Sequence, residues 1–575
     1  IMPKSLVPNQ FDYAGIYVEG KRSQFRFHKP HLSSFMSGML VPAGDPIPVF
    51  PGVKLDLLMD AVIRSNTLLV PPLDGMYFDV FAAWIPHRIV WTSMPQFLGE
   101  NDTTAWTQST SKVYPSVKLQ NINNNICGSV INNSNLVGDV VAANHLLAVH
   151  YGLISGTTMS SGTSGYDLDI NVLSFRGYYA FWNHFMRDEN YQRPVLLSKT
   201  DTGSAGEFGY LIRDYKGASG TNVSSVFNLS VGGSAGASMA LLMPVNKFHD
   251  FATSVLPQAQ YGPSVSLPLG TTAPVIDAGY VTYGAVSNEV TSFGGGLVGI
   301  GQTSTAAGQH NLVTDLSNAT AASINSLRSA VMYQRYLEAL ARGGRRVTEY
   351  YDNIYGVKNS AAAKDYPEML SHNRYILGVK QFVATADGSG SGWTSRLGDT
   401  GAYSLTNLRN IPICQKEFTE FGYLHIMFCV RADNRYSLAI PQHFTRRELL
   451  DEYNPFFDHV GDFDVPNYLV NMMASSRTNF GFQEAWWFER SQQALAVGAL
   501  NKSYGSLAFW QLGEKLDNSV TTCTPGYLCF DPGVFNDVFV TPYYTYPQFI
   551  FDGLIHGVKA GRMSAHSIPG IVGRI

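Results

Sequence analysis

Charge is scarce in this chain of 575 residues: Asp, Glu, Lys and Arg together make up 15%, well under the roughly 25% of an average soluble domain. With 45% hydrophobic residues, such a chain is neither disordered nor a coiled coil. Long apolar runs are also missing. No window approaches the roughly 18 unbroken apolar residues of a membrane-spanning helix, so the chain does not cross a bilayer by helices. Cysteine is rare and odd in number, with only Cys127, Cys414, Cys429, Cys523 and Cys529. That excludes a disulfide framework and makes reduced thiols, as in a reducing cytoplasm, the expectation. Nor is there a basic excess: 40 Lys and Arg against 44 Asp and Glu leave a net charge of −4. No global field collects nucleic acid from solution, and any such contact must be local. The opening Ile1-Met2-Pro3-Lys4-Ser5 lacks the charged-then-apolar pattern of a secretory signal. Six N-x-S/T sequons, beginning at Asn101, Asn132, Asn222, Asn228, Asn318 and Asn501, are what an Asn/Ser/Thr-rich chain shows by chance, and none is read as glycosylated.

Aromatics, by contrast, reach 13%, and 54 Gly with 28 Pro supply many turns, which favours β-structure over a helix bundle. Val53 to Leu57 alternates, whereas Tyr77 to Ile85 is apolar nearly throughout, the mark of a strand buried on both faces. Leu424, Ile426, Phe428 and Val430 alternate with His425, Cys429 and Arg431, and further strands are expected at Val534 to Val540, Tyr543 to Tyr546 and Phe549 to Ile555. Helical spacing is confined to a few places. Tyr178, Phe181, Trp182 and Phe185 fall on one face; so do Ala330, Tyr333, Leu337, Leu340 and Ala341, with Glu338 and Arg342 at i, i+4 and Gly343-Gly344 as a stop. Thr445-Arg446-Arg447-Glu448 reads as a capping box opening a short helix. Stretches 101–165, 199–246 and 284–322 are rich in Gly, Ser, Thr and Asn and too long for simple turns, hence elaborated loops. No repeat of fixed period appears, which argues against solenoids and propellers. The expected class is all-β: one decorated antiparallel sandwich.

Catalytic signatures are weak. Gly232-Gly233-Ser234-Ala235-Gly236 matches a nucleophile elbow, but no βαβ alternation surrounds it. Gly294, Gly296 and Gly299 match a dinucleotide loop without the acidic residue that closes one. Cys523 and Cys529 have no second pair, and His28 and His31 no third ligand, while Asp458, Asp462 and Asp464 read as a solvated acidic turn before a calcium site. No enzyme, cofactor or bound metal is expected. Two basic groups remain. Arg342, Arg345 and Arg346 follow a helix whose C-terminal dipole favours cations, or serve a subunit interface. Lys21, Arg22, Arg26 and Lys29 are interleaved with Phe25, Phe27 and His28, a pattern suited to single-stranded polyanion by charge and stacking together, or to an arm packed on a neighbouring subunit.

Read in order, several strings resemble the major capsid protein of the Microviridae, and its gokushovirus-like branch in particular. They include Lys21-Arg22-Ser23-Gln24-Phe25, Pro48-Val49-Phe50-Pro51-Gly52, Ile85-Pro86-His87-Arg88, and Phe185-Met186-Arg187-Asp188-Glu189-Asn190. Gly262 to Gly270, Ala341-Arg342-Gly343-Gly344 with Thr348-Glu349, Phe480-Gly481-Phe482-Gln483-Glu484 and Ser567-Ile568-Pro569-Gly570 continue the series. The likeness fades in 101–165, 199–246 and 275–322. It implies a viral jelly roll, an eight-stranded antiparallel β-barrel with enlarged loops, whose copies, sixty in all, close a T=1 shell around a circular single-stranded DNA genome. It further implies one capsid domain over 1–575, with an extended arm at 1–50 and a core at 51–575. Insertions are expected at about 101–165, 199–246 and 275–322, the last a three-fold protrusion facing the host receptor. Partners implied are an internal scaffolding protein and a DNA pilot protein; assembly is in the host bacterial cytoplasm, with no membrane insertion. Lys21, Arg22, Arg26 and Lys29, with Lys559 and Arg562, are expected to face the genome, with Arg342, Arg345 and Arg346 at subunit contacts. A β-rich glycan-binding or glycan-cleaving protein and an outer-membrane barrel are the alternatives.

Overall fold

The computed structural model describes residues 22–100, 112–118, 147–153, 168–195, 197–201, 242–262, short strands within 275–314, 324–343, 346–356, 364–383, 388–390, 393–395, 398, 400–457, 461–516, 518–541 and 546–563. Two antiparallel five-stranded sheets carry the architecture. The first is ordered β1-β12-β4-β8-β7 and is built from β1 (Arg22–Phe35), β4 (Lys54–Ser65), β7 (Val379–Val383), β8 (Thr400–Glu417) and β12 (Phe549–Arg562). The second runs β6-β5-β9, from β5 (Met76–Pro86), β6 (Glu368–Ile376) and β9 (Gly422–Ala432), with short β2 (Val41–Pro42) and β3 (Ile47–Val49) both paired to β9. β10 (Asp462–Pro466) and β11 (Asn479–Glu484) form a separate hairpin.

The strand β4 alternates buried and more exposed residues along its whole length, as a sheet with one wet face requires. Strand β5 is buried at ten of its eleven positions, and the expectation from its continuous apolar text holds. The two sheets close on each other through phenylalanines: the Phe428 ring lies 4.3 Å from Phe551 and 5.0 Å from Phe35, and Phe78 stacks 6.2 Å from Phe551. Each buried ring contributes about 1.5–3 kcal/mol of transfer free energy. Behind the second sheet lies α1 (Leu173–Phe181), extended by a π-turn over Trp182–Met186. It begins five residues before the expected start and is buried nearly all round rather than along one stripe. Its polar groups are met inside: Tyr178 Oη donates to Leu40 O at 2.7 Å, and Trp182 Nε1 to Pro244 O at 2.8 Å. One glycine is required on steric grounds. Gly557 has φ +152°, and a Cβ there would meet Asp56 O at 2.0 Å, across the β12–β4 ladder. Gly557→Ala is expected to lower stability by at least about 1–3 kcal/mol, read as a fall in the thermal midpoint of the isolated subunit.

A buried charge cluster ties the second sheet. Asp79 on β5 is fully buried and accepts from Arg374 Nε of β6 at 2.6 Å and from Arg431 of β9. His372 Nε2 stands 3.6 Å away. Both guanidiniums stack on Phe248, at 4.3 and 4.2 Å from its ring centre, each a cation–π contact.

Two expectations fail for local reasons. Thr445 caps nothing: its hydroxyl donates to Gln442 O at 2.7 Å, and the capping box is formed instead by Glu448 and Asp451 around a single 3-10 turn. Val534 to Val540 is no strand, because Asp531 caps Gly533 N and Pro532 sets the dihedral of a 3-10 turn at Pro532–Phe535. Tyr543 to Tyr546 and the motifs at 232–236 and 294–299 lie mostly outside the described residues.

Residues 260–345 form a second compact unit. It contains α2 (Ile324–Gly343) and short antiparallel pairings of Val275–Asp277 with Leu312–Thr314 and of Ser292–Phe293 with Leu297–Val298. Of the expected apolar face of α2 only Leu337 is fully buried; Ala330, Leu340 and Ala341 are partly covered and Tyr333 is 55% exposed. The helix α3 (Val347–Tyr355) belongs to the first unit.

Candidate nucleic-acid and intersubunit surfaces

Side chains on β1 alternate strictly from Arg22 to Leu32, with Arg22, Gln24, Arg26, His28, Pro30 and Leu32 exposed. The segment expected to be an arm is the outermost strand of the first sheet, paired with β12 from Arg22 opposite Arg562 to Phe35 opposite Phe549. Register decides which cations share a face. Arg22 and Arg562 stand directly opposite, Arg26 lies opposite Val558, and Lys54 of β4 lies opposite Ala560, so all four cations project from the outer face at one end of the sheet. Arg22 bonds Glu417 Oε1 at 3.2 Å, an exposed pair worth little. Arg26 and Arg562 have no partner among the described residues. Like charges set opposite across a ladder destabilise it. Farther along the same face come His28 opposite His556, which stands 3.3 Å from Asp60, then Leu32 opposite Asp552, with the apolar Leu554 and Ile550.

Lys29 and Lys559 point the other way. Lys29 is held by Asp45 at 2.7 Å, and Lys559 stands 5.4 Å from the Phe50 ring centre, where burial lowers its pKa. Neither shares the outer face with the arginines. Lys21 and Arg345 lie outside the described residues. Arg342 is exposed near the end of α2. Arg346 is committed within its own unit: it pairs with Glu189, caps α3 with Glu349, and donates to Asn183 O at 3.0 Å. Lys54 was not legible as a member of the basic group, because only β-register brings it beside Arg562.

A second feature has no counterpart in the sequence reading. A cavity of about 760 Å³ is walled by Phe463, Trp486, Trp487 and Phe488, with Asp451, Asp462 and Asp464 at its polar side. Asp462 and Asp464 are thus strand residues of β10 rather than part of a turn; Asp458 lies outside the described residues. Among the described residues no three His, Cys, Asp or Glu side chains converge to hold a metal ion. The described cysteines, Cys414, Cys429, Cys523 and Cys529, are free and buried, and burial pushes the Cys523 thiol up to about 12, which leaves it inert as a nucleophile. No helix among the described residues is long and apolar enough to cross a membrane.

No convergent catalytic set has emerged among the described residues, and the family comparison decides the matter: a model of the phage capsid protein (F protein) family matches residues 17–570. The chain belongs to the Microviridae capsid F protein family. The capsid protein is 28% identical over 531 residues to capsid protein VP1 of Spiroplasma virus 4, covering 85% of this chain and 84% of that one. It is 27% identical over 535 residues to VP1 of Bdellovibrio phage phiMH2K, with 88% of each covered. With VP1 of Chlamydia phage 1 it shares 23% over 631 residues, and 96% of each is covered. It is therefore a structural component of the virion and not an enzyme, which sets aside the glycan-cleaving and membrane-barrel alternatives.

Proposed function

We propose that sixty copies of this major capsid protein close a T=1 shell around a circular single-stranded DNA genome, with the outer face of the first sheet turned toward the DNA. The observation that carries the orientation is the basic end of that face, where Arg26 and Arg562 have no partner among the described residues, while Glu417 pairs with Arg22 and stands opposite Lys54. Arg22 opposes Arg562, with Arg26 and Lys54 beside them, and such a repulsive arrangement is relieved by an anion held between the strands. Phosphate is an anion whose geometry the planar guanidinium fork matches bidentately. Support for a jelly roll comes from strand number: eight strands of the two sheets, β1, β4 to β9 and β12, are five residues or longer, the number that fold requires. A subunit of net charge −4 cannot neutralise a genome alone, so small cations or a basic internal protein supply the rest. Assembly in the host cytoplasm would draw on an internal scaffolding protein and a DNA pilot protein. Unit 260–345, which contains the segment 275–322, is the candidate protrusion toward the host receptor, with Arg342 at a subunit contact.

The experiment neutralises Arg22, Arg26, Lys54 and Arg562 together to Gln. DNA per particle is expected to fall several-fold while the subunit still folds, and the salt dependence of DNA retention should flatten. Neutralising Lys29 and Lys559 should instead lower the thermal midpoint and leave DNA content unchanged. Full packaging by the quadruple variant would overturn the orientation.

A further inference from the structure

Three single-turn 3-10 segments, Gln442–Thr445, Leu449–Asp451 and Pro455–Phe457, follow one another and drive apolar side chains into solvent. Phe444, Leu449 and Phe456 are 71%, 79% and 93% exposed. Each stands within two residues of a side chain lining the aromatic cavity, namely Thr445, Asp451 and Phe457. Knobs and socket therefore occupy one patch of the subunit. A patch that carries both is self-complementary about a two-fold axis, where the knobs of each copy face the socket of the other.

The charges of the patch match in the same way. Arg447 lies between Phe444 and Leu449, is exposed, and has no partner for its guanidinium among the described residues. Asp464, on the socket, is exposed and its carboxylate is equally unpaired among them. The neighbouring charges are already engaged. Arg446 pairs with Glu452 and Glu489 at 2.9 and 2.8 Å, and Asp451 accepts the backbone N–H groups of Arg447 and Glu448 at 2.7 and 2.9 Å. Among the described residues this leaves Arg447 on the knobs and Asp464 in the socket.

Resting on the self-assembly proposed above, we infer that this patch is a two-fold contact between copies of the chain. Each copy inserts Phe456 and Leu449 into the other's cavity and pairs its Arg447 with the other's Asp464. An exposed apolar cluster of this kind is a liability on a solitary subunit and becomes the desolvated centre of an interface once covered.

The test is charge reversal and its rescue in cells producing the phage, with particles quantified by sedimentation and negative-stain microscopy. Arg447→Glu and Asp464→Arg are each expected to cut particle yield by about tenfold or more, the scale of a reversed charge pair in an interface. The double variant should recover to within a few-fold of the parent. Phe456→Ser, at a site too exposed to matter for folding, should act like the single reversals, with the subunit's thermal midpoint unchanged in every case. Undiminished yield from the single reversals, or a double variant no better than either, overturns the contact, including the outcome in which the cavity binds a glycan and assembly is indifferent to it. A parent chain that forms no particles would instead sink the assembly reading itself.

Discussion

Replacing Asp79 by Asn is expected to destabilise the capsid subunit by about 3–5 kcal/mol, the cost of breaking a buried ion pair from one side. The carboxylate is fully buried and anchors two guanidiniums from the strands on either side of β5. Burial acts to raise its pKa, but hydrogen bonds from His372, Arg374 and Arg431 prevail and hold it far below the usual carboxylate range. Without it, Arg431, whose side chain is only 10% exposed, keeps a buried charge whose Nε already lacks a partner. Arg374 is 41% exposed, so Arg374→Gln should cost only about 1 kcal/mol. The pH dependence has a definite sign. A depressed folded pKa means stability that is present above the unfolded value of about 3.9 and lost as pH falls toward the folded one. Urea midpoints of the isolated subunit should therefore fall below about pH 4 in the parent, and less so in Asp79→Asn. An Asn variant as stable as the parent would show that the cluster contributes no net stability.

What the sequence disclosed about the fold was whatever is written locally. The unbroken apolar run of β5 and the aromatic spacing of α1 were legible because each depends on neighbours within one element; β9 was legible as a strand, but its alternation marks no wet face, since His425, Cys429 and Arg431 are buried as well. Asp79 was not, since its partners Arg374 and Arg431 lie 295 and 352 residues away. The same limit governs the basic surface. Alternating cations and aromatics in Arg22 to Lys29 read equally well as a nucleic-acid arm and as one wet face of a strand, and only pairing with Arg562, at the far end of the chain, distinguishes them. Once paired, period two separates Arg22 and Arg26 from Lys29, a division that composition cannot show. The cavity was hidden for a related reason: its wall joins β10 to Trp486 and to the 3-10 turns from Gln442 onward, none of which has a periodic signal.

Acid should weaken the free subunit well before Asp79 titrates. Three histidines are held neutral: His87 is pushed down to about 4 by burial, His184 to about 4 by burial and the Arg346 guanidinium, and His425 to about 3 by burial and His87. Protonation would place charge where His87 Nδ1 and His425 Nε2 find no acceptor, under an α1 so close that a Cβ on Gly177 would touch His425 Nε2 at 2.4 Å. A folded pKa below the unfolded value of about 6.5 means that the unfolded chain binds the extra protons, so stability declines as pH falls through that window. Each histidine contributes a slope of about 1.4 kcal/mol per pH unit, and three together remove about 6 kcal/mol by pH 5. That is comparable with the entire stability of about 5–15 kcal/mol of an ordinary folded domain. Unfolding free energies of the isolated subunit, measured in urea from pH 7 to 5, should show this decline, and His425→Gln should flatten it by about a third. A level profile over that range would mean that these imidazoles stay charged or solvated in the folded state. The histidine window runs from about 6.5 down to about 3–4 and the carboxylate window opens only near 3.9, so Asp79→Asn should leave the decline above pH 5 intact while blunting the one below pH 4. Assembly adds a further lever: any contact that binds only the folded subunit shifts the whole curve to lower pH by mass action, and closed particles should survive acid that unfolds their subunits.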